Sequence, residues 1–384
     1  MKLFQRKKNR NSSGQAKGNS WLSRFFDIPL LMINFIVVVA LLVANSACWI
    51  APARFILPSY LGLVFPVILL LTIMFLVFWV ARLKWYFLVS LTALLVSYRS
   101  AYDTFPLNRD KEIPEGAIKV LSYNVHLFGF YTPLAENKII EYITDSDADI
   151  VCLQEFGYSS APKKNYLKQS EILETLQKKY PYHHIELARV KSSGAYGIAT
   201  FSKFPIIKKA KVNYESKYNL TMYSDIQING KRVRVFNCHL ESNQLTKNDK
   251  ALIKNLGEEY RNDRINEVAD HFSEKLERSF KLRAKQADAI AGEISKTDIP
   301  IILCGDINDV PVSYTYSKIK GGRLYDAFTG SGRGYGYTFN EKLFWFRIDM
   351  IMHSKEFSAY RFRVDGGVDY SDHFPVGCYL VLNN

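Results

Sequence analysis

Three long apolar stretches near the start of the chain precede a region of shorter apolar runs. The first two, Ile28–Ile50 and Pro58–Val80, each have 23 positions that are almost all apolar. A helix of that length, rising ~1.5 Å per residue, exceeds the ~30 Å hydrocarbon core of a bilayer. The third, Trp85–Tyr98, has 14 uncharged positions and spans a membrane only if Lys84 and Arg99 reach the interfaces. The pattern predicts two or three transmembrane helices.

The basic residues predict the orientation of these helices. Residues 1–24 form a basic tail without an acid, Arg82 and Lys84 follow the second stretch, and the first connection has only Arg54. Because cytoplasmic segments collect Lys and Arg, the tail and the Arg82 loop are predicted to be cytoplasmic. Three helices within residues 25–100 then place the rest of the chain on the extracytoplasmic side of the cytoplasmic membrane, whereas two place it in the cytoplasm. A cleaved signal peptide is the alternative, disfavoured because the first stretch is long and two others follow.

After these stretches the pattern changes to that of a folded domain. Residues 101–116, with Pro106, Pro114 and several charges, are typical of a linker. Beyond them, β-rich runs alternate with segments of helical spacing, which predicts a mixed α/β domain over residues 117–384. The predicted strands are Ile118–Val125, Ile150–Gln154, Tyr196–Phe201, Met222–Ile228, Val233–His239, Ile299–Cys304, Arg347–His353 and Val376–Leu382; the predicted helices are Glu136–Asp145, Ser170–Lys179 and one within Thr246–Lys296.

Charge and cysteine content change this picture little. The formal net charge is +13, but residues 1–116 hold 13 Lys/Arg against 5 Asp/Glu, so most of the excess belongs to the membrane region. The overall charge is therefore poor evidence for nucleic-acid binding. Four cysteines lie in strand-like runs without metal-type spacing and are predicted to be small buried side chains. They are Cys152, Cys238, Cys304 and Cys378.

The candidate chemistry lies where predicted strands end. The run Ile301–Val310 begins apolar and then presents Asp306 and Asn308 two positions apart. In extended backbone, side chains two positions apart point to the same side, so a carboxylate and an amide are directed together. That pairing suits the handling of an attacking water beside a phosphoryl group, although an ordinary turn after a strand has the same residues. Asn237 and His239 repeat this spacing at another strand end.

Other predicted strands add polar side chains. Asn124 ends the first, Glu155 follows the second, Asp349 lies within a later one, and Asp372 and His373 precede the last. A carboxylate inside a strand needs a partner because burying an unpaired charge is costly. Taken singly, the others are equally consistent with turn formers, a solvated helix start or a structural histidine.

Taken together and in order, these motifs resemble those of the endonuclease/exonuclease/phosphatase superfamily, the DNase I-like group of Mg²⁺-dependent phosphoesterases. The resemblance runs from about Ile118 to Leu382 and rests on the runs Leu-Ser-Tyr-Asn, Leu-Gln-Glu, Asn-Cys-His, Gly-Asp-Ile-Asn, Arg-Ile-Asp and Ser-Asp-His. It implies an α/β (α+β) four-layer sandwich, in which two mixed β-sheets pack face to face with helices outside. It also implies a site at one end of that sandwich.

The resemblance implies a metal side and a water-activating side. Glu155 would be the principal ligand of Mg²⁺, or of Mn²⁺, with Asn124 and Asp372 contributing beside it. Hard carboxylate and amide oxygens suit these ions. Asp306 would orient and deprotonate the attacking water, and Asn308 would hold a phosphate oxygen.

The resemblance also implies two histidine roles. His373 would pair with Asp349 and act as a base or as a phosphate-binding cation. His239 would stabilise the pentacovalent phosphorane or protonate the leaving oxygen. The acidic partner that deoxyribonuclease-type members use to orient this second histidine is not recognisable in the sequence.

Three further residues are expected to contact substrate. Ser202 lies in a run that resembles a strand and turn of the family, Arg347 begins the predicted strand that contains Asp349, and Asn237 precedes His239. The remaining histidines match no motif and are expected to be structural: His126, His183, His184, His271 and His353.

The expected function is hydrolysis of phosphodiester or phosphomonoester bonds by a membrane-anchored, Mg²⁺-dependent enzyme. The anchor favours a lipid-linked substrate, because it holds the site near a bilayer. An endonuclease or exonuclease acting on DNA is the first alternative, and a catalytically silent, membrane-bound binding domain is an alternative of another class. The expected partners are the phosphoester substrate and the lipid bilayer, and no obligate protein partner is indicated.

Overall fold

Apolar helices precede a sandwich of two β-sheets in the computed structural model, which describes residues 16–129, 132–159, 167–243, 262–341 and 345–383. The helices before the sandwich are α1 (Ala16–Ser46), α2 (Leu57–Leu63), α3 (Phe65–Ala81), α4 (Phe87–Val96) and α5 (Tyr98–Thr104).

The lengths of the helices support fewer membrane crossings than the two or three that the sequence pattern predicts. The segment Phe25–Ser46 of α1 is long and apolar enough to cross a bilayer. Helices α2 and α3 reach that length only as a pair, and a bend of 75° separates them. The predicted third stretch is interrupted at Ser97, which leaves α4 with 10 residues. By length and composition, the described residues therefore contain one candidate span, or two if the bent pair counts as one.

Polar contacts mark the two ends of this helix group. At one end, the buried carboxylate of Asp27 forms ion pairs with Arg82 and Lys84 at 3.0 and 3.2 Å. At the other end, the hydroxyl of Ser100 donates to the side-chain oxygen of Asn45 at 2.6 Å. The first end thus gathers the charges that flank the apolar helices.

The end of the helix group that contains Asn45 contacts the sandwich. Val312, in the loop that follows Asp306, lies in one apolar cluster with Leu41 and Phe65. The hydroxyl of Tyr60 donates to the backbone carbonyl of Ser273 at 2.8 Å.

The predicted linker, residues 101–116, also lies against the sandwich. The hydroxyl of Tyr102 donates to the carbonyl of Thr329 at 3.1 Å. Phe105 stacks on Tyr335 with ring centroids 5.2 Å apart. This segment therefore connects the two regions while part of it packs on the surface of the second.

The two sheets each have six strands among the described residues, and each has one parallel pair at its centre. The first has the order β11-β12-β1-β2-β4-β3, with β1 parallel to β2, and the second has the order β5-β6-β7-β8-β10-β9, with β7 parallel to β8. The strands are β1 (Ile118–Asn124), β2 (Ile150–Ser159), β3 (Tyr182–Lys191), β4 (Gly194–Ser202), β5 (Ile206–Lys211), β6 (Leu220–Ile228), β7 (Lys231–His239), β8 (Ile301–Asp306), β9 (Leu324–Asp326), β10 (Asp349–Ser354), β11 (Phe357–Val364) and β12 (Val376–Leu382).

Helices cover the outer face of each sheet, so the domain has four layers. Ile139 and Ile172 of two helices pack on the first sheet in one apolar cluster, and Ile290 and Ile319 of two others pack on the second. The faces between the sheets form a separate core, in which Cys152, Cys304 and Cys378 are buried and free. Besides a short irregular helical turn at His126–Gly129 and a 3-10 turn at Leu134–Glu136, the described helices of the domain are α6 (Lys138–Asp145), α7 (Gln169–Gln177), α8 (Asn262–Ser295), α9 (Tyr314–Lys320) and α10 (Ala327–Ser331). The predicted sandwich of two mixed sheets between helices is confirmed.

Candidate active site

The ends of central strands from both sheets meet at one end of the sandwich. Asn124, His239 and Asp306 are the last residues of β1, β7 and β8. In the second sheet, His239 is paired with Asp306, and Asp306 is paired in turn with Asp349, the first residue of antiparallel β10. Because neighbouring strands lie ~4.8 Å apart, this register brings three functional side chains of one sheet into a row.

A β-bulge directs Glu155 into the same place. The register of β2 against β4 shifts between Leu153 and Phe156, and Glu155 has a φ of +51°. A bulge re-aims a side chain relative to its strand. Gln154 consequently points between the sheets and donates to Asn237 at 2.7 Å, while the Glu155 carboxylate is left beside Asn124.

Asp306 is the centre of a hydrogen-bonded group. Its carboxylate accepts from the backbone N–H of Asn308 at 2.8 Å, from the Asn308 amide at 3.2 Å and from the Asn124 amide at 3.1 Å. Burial raises the pKa of Asp306 to about 7, with His373 opposing the rise and Asp349 adding to it. A carboxylate in this range can exchange a proton at neutral pH.

His373 and Asp349 form a buried pair. The imidazole Nδ1 lies 2.8 Å from the Asp349 carboxylate, and Nε2 lies 3.7 Å from Asp306. Burial alone would lower the pKa of His373, but the Asp349 and Asp306 carboxylates outweigh burial and raise that pKa well above its ordinary value. The imidazole is therefore held as a cation whose Nε2 faces Asp306.

His239 is a neutral imidazole. Burial lowers its pKa to about 3, with His373 adding to the effect. Its Nδ1 lies 3.2 Å from the hydroxyl of Tyr196, and its Nε2 lies 3.8 Å from both Glu155 and Asp306. Tyr196 is thus the neighbour that orients this histidine.

His126 joins the site although the sequence pattern gave it no role. Its Nδ1 lies 3.2 Å from Asp372 and 3.6 Å from Glu155. The hydrogen bond with Asp372 raises the pKa of His126 against the opposing effect of burial. The missed signal was the two-residue spacing from Asn124 to His126, which repeats that of Asn237 and His239.

The donor set beside His126 fits a hard divalent cation. Glu155 and Asp372 both lie within 3.6 Å of one imidazole nitrogen, and burial together with Asp372 raises the pKa of Glu155. Two neighbouring carboxylates are stabilised by a cation that binds both of them. The Asn124 side chain lies beside Glu155, to which its amide N–H donates at 3.4 Å, while its oxygen accepts from the backbone N–H of His126 at 3.2 Å.

A second acidic group contains Asp306, Asp349 and His373, with potential ligand atoms within 4.8 Å of one another. Here Nδ1 of His373 is already bound to Asp349, and the pKa of this imidazole is raised. A protonated histidine cannot ligate a metal. The Glu155 side therefore fits a metal better than this group does.

Two of the residues expected to contact substrate lie elsewhere. Ser202 is paired with Ile150, the first residue of β2, which lies five positions before Glu155. Its hydroxyl accepts from the backbone N–H of Phe204 at 2.9 Å. Asn237 is fully buried between the sheets, where its amide donates to the carbonyl of Ala199 at 2.9 Å. Neither side chain reaches the cleft, because both are used to join backbone segments.

Arg347 also has a structural position. It is 1% exposed, and its guanidinium binds Asp326 at 2.9 Å and the carbonyl of Asp103 at 2.9 Å. The same group lies 4.4 Å from the ring centroid of Phe328. The expectation of a substrate contact is wrong for this residue, which instead joins the N-terminal segment to the domain.

Comparison with known families decides the relationship. A model of the endonuclease/exonuclease/phosphatase family matches residues 121–373. The chain belongs to this family. Members are phosphoric ester hydrolases that generally depend on a divalent metal, so the expectation of an enzyme is confirmed. A second family model, described as a domain of unknown function, matches residues 24–104. No curated protein matches the chain.

Solved structures similar to this family member have low sequence identity to it. A family protein from Leptotrichia buccalis is 18% identical, with 69% of this chain and 100% of that chain covered and a TM-score of 0.48. A mannosyl-6-phosphatase from Bacteroides thetaiotaomicron is 17% identical, with 69% and 100% covered and a TM-score of 0.45. The catalytic domain of human Nocturnin is 16% identical, with 72% and 97% covered and a TM-score of 0.48.

Proposed function

We propose that this protein is a membrane-anchored, divalent-metal-dependent phosphoesterase that cleaves a phosphodiester or phosphomonoester bond of a lipid-linked substrate. The observation that supports the chemistry best is the meeting of three groups at one end of the sandwich. These groups are the carboxylate of Asp306, the cationic pair of His373 and Asp349, and the metal-type donors around Glu155. Together they offer a base, a positive charge and a cation site within one cleft.

In this proposal, Glu155, Asn124 and Asp372 hold Mg²⁺, or Mn²⁺ in its place. When bound, the ion supplies positive charge beside the phosphoryl oxygens. The partial burial of Glu155 and the neighbouring Asp372 carboxylate, which raise the pKa of Glu155, favour such an ion, because a cation beside both carboxylates offsets these effects.

Asp306 is proposed to take the proton of the attacking water. Its pKa of about 7 matches proton transfer near neutral pH, and both of its oxygens are oriented by the N–H groups of Asn308. The Asn308 amide is itself fixed by a bond to the carbonyl of Leu240 at 3.0 Å. Base and amide therefore act as one rigid unit beside the phosphorus.

The two histidines are proposed to stabilise charge on the phosphoryl group. His373 is held as a cation by Asp349, so its Nε2–H can donate to a phosphoryl oxygen. His239 is neutral, and when the Tyr196 hydroxyl donates to its Nδ1, the proton is on Nε2 and faces the cleft. His239 then acts as a hydrogen-bond donor rather than as a second cation.

The membrane part of the proposal keeps the predicted organisation: a basic cytoplasmic tail (1–24), a membrane region (25–100), a linker (101–116) and the catalytic domain (117–384). The two family matches, at residues 24–104 and 121–373, support the division between the membrane region and the catalytic domain. The proposal also keeps three crossings with the domain on the extracytoplasmic side, in which the third crossing would be the 10-residue helix α4 with its flanking residues. The ion pairs of Asp27 with Arg82 and Lys84 favour this arrangement over two crossings. These charges lie at the end of the helix group away from the catalytic domain.

The chemistry is tested with the full chain in detergent, offered phospholipid vesicles and plasmid DNA side by side. With Mg²⁺ we expect cleavage of the lipid phosphoester, and with EDTA none. Glu155→Gln is expected to lower activity at limiting Mg²⁺ by about 100-fold or more, because one charged ligand is lost. Lys231→Gln, an exposed change at the opposite end of β7, is the control and should retain activity.

The outcomes separate the alternatives. Nicking of DNA with lipids untouched would make the protein a nuclease. Turnover of neither substrate, together with absence of Mg²⁺ binding by calorimetry, would refute the enzyme and favour a binding domain.

Sidedness is tested with right-side-out vesicles and a chain tagged at both ends. Protease added outside is expected to remove the C-terminal tag and leave the N-terminal tag intact, because three crossings place the ends on opposite sides. Protection of both tags, with both lost in inverted vesicles, would show an even number of crossings and contradict the extracytoplasmic domain.

A further inference from the structure

A large cavity leads away from the catalytic groups. Its volume is ≈ 680 Å³, and Glu155 and His239 form its inner end. The cavity continues along β2, β4 and β3 to the outer edge of the first sheet. A volume of this size is that of a small-molecule binding pocket and greatly exceeds what a phosphate group alone requires.

The wall of the cavity is mostly apolar. Leu127, Leu167 and Ala195 contribute aliphatic surface, and Tyr158 and Tyr196 contribute phenol rings. Such a wall favours a compact group with a flat or cyclic apolar face, because burial of that face is stabilising and aromatic rings pack well on it.

Two cations line the far part of the same cavity. Arg189 and Lys191 lie two positions apart on β3, so both side chains point to one face. The guanidinium of Arg189 is oriented by Tyr218, whose hydroxyl accepts from it at 2.9 Å. Among the described residues that line the cavity, Glu155 at the inner end is the only carboxylate. The far part of the cavity is thus suited to an anion.

Strand register gives the separation between the two parts. Gly157 is paired with Tyr196, and Tyr196 is paired with Arg189, so Arg189 lies two strands away from β2. At ~4.8 Å per strand, the backbones at Gly157 and Arg189 are about 10 Å apart. The long side chain of Arg189 can reach across part of that separation, so a single sugar-sized or nucleoside-sized unit fits between the two parts.

We propose that this cavity binds the alcohol side of the substrate, a single ring-containing unit that bears a second phosphate group held by Arg189 and Lys191. The proposal rests on the proposed function, since it takes Glu155 and His239 to be at the scissile phosphate. A polymer is disfavoured, because the cavity is compact and, among its described lining residues, the cations lie in one place rather than along a strand path.

The test uses matched ligands that differ by one phosphate: glucose 1,6-bisphosphate against glucose 1-phosphate, and adenosine 3′,5′-bisphosphate against adenosine 5′-phosphate. Calorimetry measures the Kd of each for the full chain with Mg²⁺, and release of inorganic phosphate is measured in the same solutions. For the ring that fits, the bisphosphate is expected to bind about tenfold or more tightly than the monophosphate, as a charge-assisted contact provides. The sugar and nucleoside pairs show which ring is preferred.

Two variants assign the effect to the cations. The double variant Arg189→Gln, Lys191→Gln should bring the Kd ratio of the preferred pair close to 1, and Lys191→Gln alone should lower it partly. Lys231→Gln should leave the ratio unchanged. Equal Kd values within both pairs, or a ratio that survives the double variant, would overturn the proposal. The proposal would also be overturned if a short DNA strand bound more tightly than the preferred bisphosphate and lost that affinity in the double variant.

Failure of the proposed function is a separate result. If the bisphosphate preference and its loss in the double variant are seen, but no phosphoester is hydrolysed, the binding site stands and the enzymatic function is refuted.

Discussion

The substitution Asp306→Asn is expected to lower kcat by about 10²–10⁴-fold, the usual contribution of a positioned general base. The same change should stabilise the metal-free protein at alkaline pH. Asparagine keeps the acceptor oxygen for the N–H of Asn308 but cannot take a proton from water. Loss of activity together with a gain in stability distinguishes a functional carboxylate from a structural one.

The sign of the stability effect follows from the pKa of Asp306. An unfolded aspartate has a pKa of ~3.9, whereas burial raises that of folded Asp306 to about 7. Between these values the folded protein keeps a proton that the unfolded chain has released, so stability falls as the pH rises and the loss is complete above pH 7. At ~1.4 kcal/mol per pH unit, the full loss is up to about 4 kcal/mol.

Thermal or denaturant unfolding in EDTA at pH 5 and at pH 8 measures this effect. The advantage of Asp306→Asn over the wild type should be larger at pH 8 than at pH 5 by up to about 3 kcal/mol, because only about two pH units of the titration range lie above pH 5. The exposed carboxylate of Asp298 provides the control. The stability of Asp298→Asn relative to the wild type should not depend on pH in this way. A variant that retains activity, or whose advantage does not depend on pH, would contradict the role of Asp306 as base.

Arg347→Met is expected to lower the free energy of unfolding by about 3–5 kcal/mol, because it leaves the carboxylate of Asp326 buried without its cation. Both side chains of this ion pair are at most 1% exposed. The KM of protein that remains folded should not change, since Arg347 faces the core and not the cleft. A residue that contacts substrate would give the reverse pattern, a raised KM at unchanged stability.

Two controls accompany this measurement. The double variant Arg347→Met, Asp326→Asn should recover part of the lost stability, because the unpaired charge is removed. Arg363→Met breaks an exposed ion pair with Asp110 and should leave stability unchanged within error. Equal losses from Arg347→Met and Arg363→Met would show that burial of the first pair has no energetic consequence.

The sequence predicted eight of the twelve strands found among the described residues, and the four it missed share one property. They are β3, β5, β9 and β11, the two edges of each sheet. Central strands are covered on both faces and therefore read as continuous apolar runs. An edge strand such as Ile206–Lys211 is half exposed and has three lysines in six residues, so its pattern resembles a loop.

For the site, the sequence determined which strand ends have polar groups, because a strand alternates its side chains and a two-residue spacing fixes a common face. The spacing grouped Asp306 and Asn308 correctly, but a turn rather than an extended strand brings them together, because β8 ends at Asp306 and Asn308 has a φ of +53°. The family motifs added Asp349 and His373. The sequence did not show that Asn237 faces between the sheets or that Arg347 is the partner of a buried ion pair.

Those assignments depend on the tertiary structure for a physical reason. Alternation along a strand distinguishes two faces, but register, the bulge at Glu155 and the packing of the second sheet decide which face meets the cleft. The same holds for His126, whose place between Glu155 and Asp372 results from three chain segments that meet only in the fold. The sequence by itself therefore determined the family, the layered architecture and most of the chemical groups. Only the packing of the two sheets decided which polar residues act in the cleft and which hold the structure together.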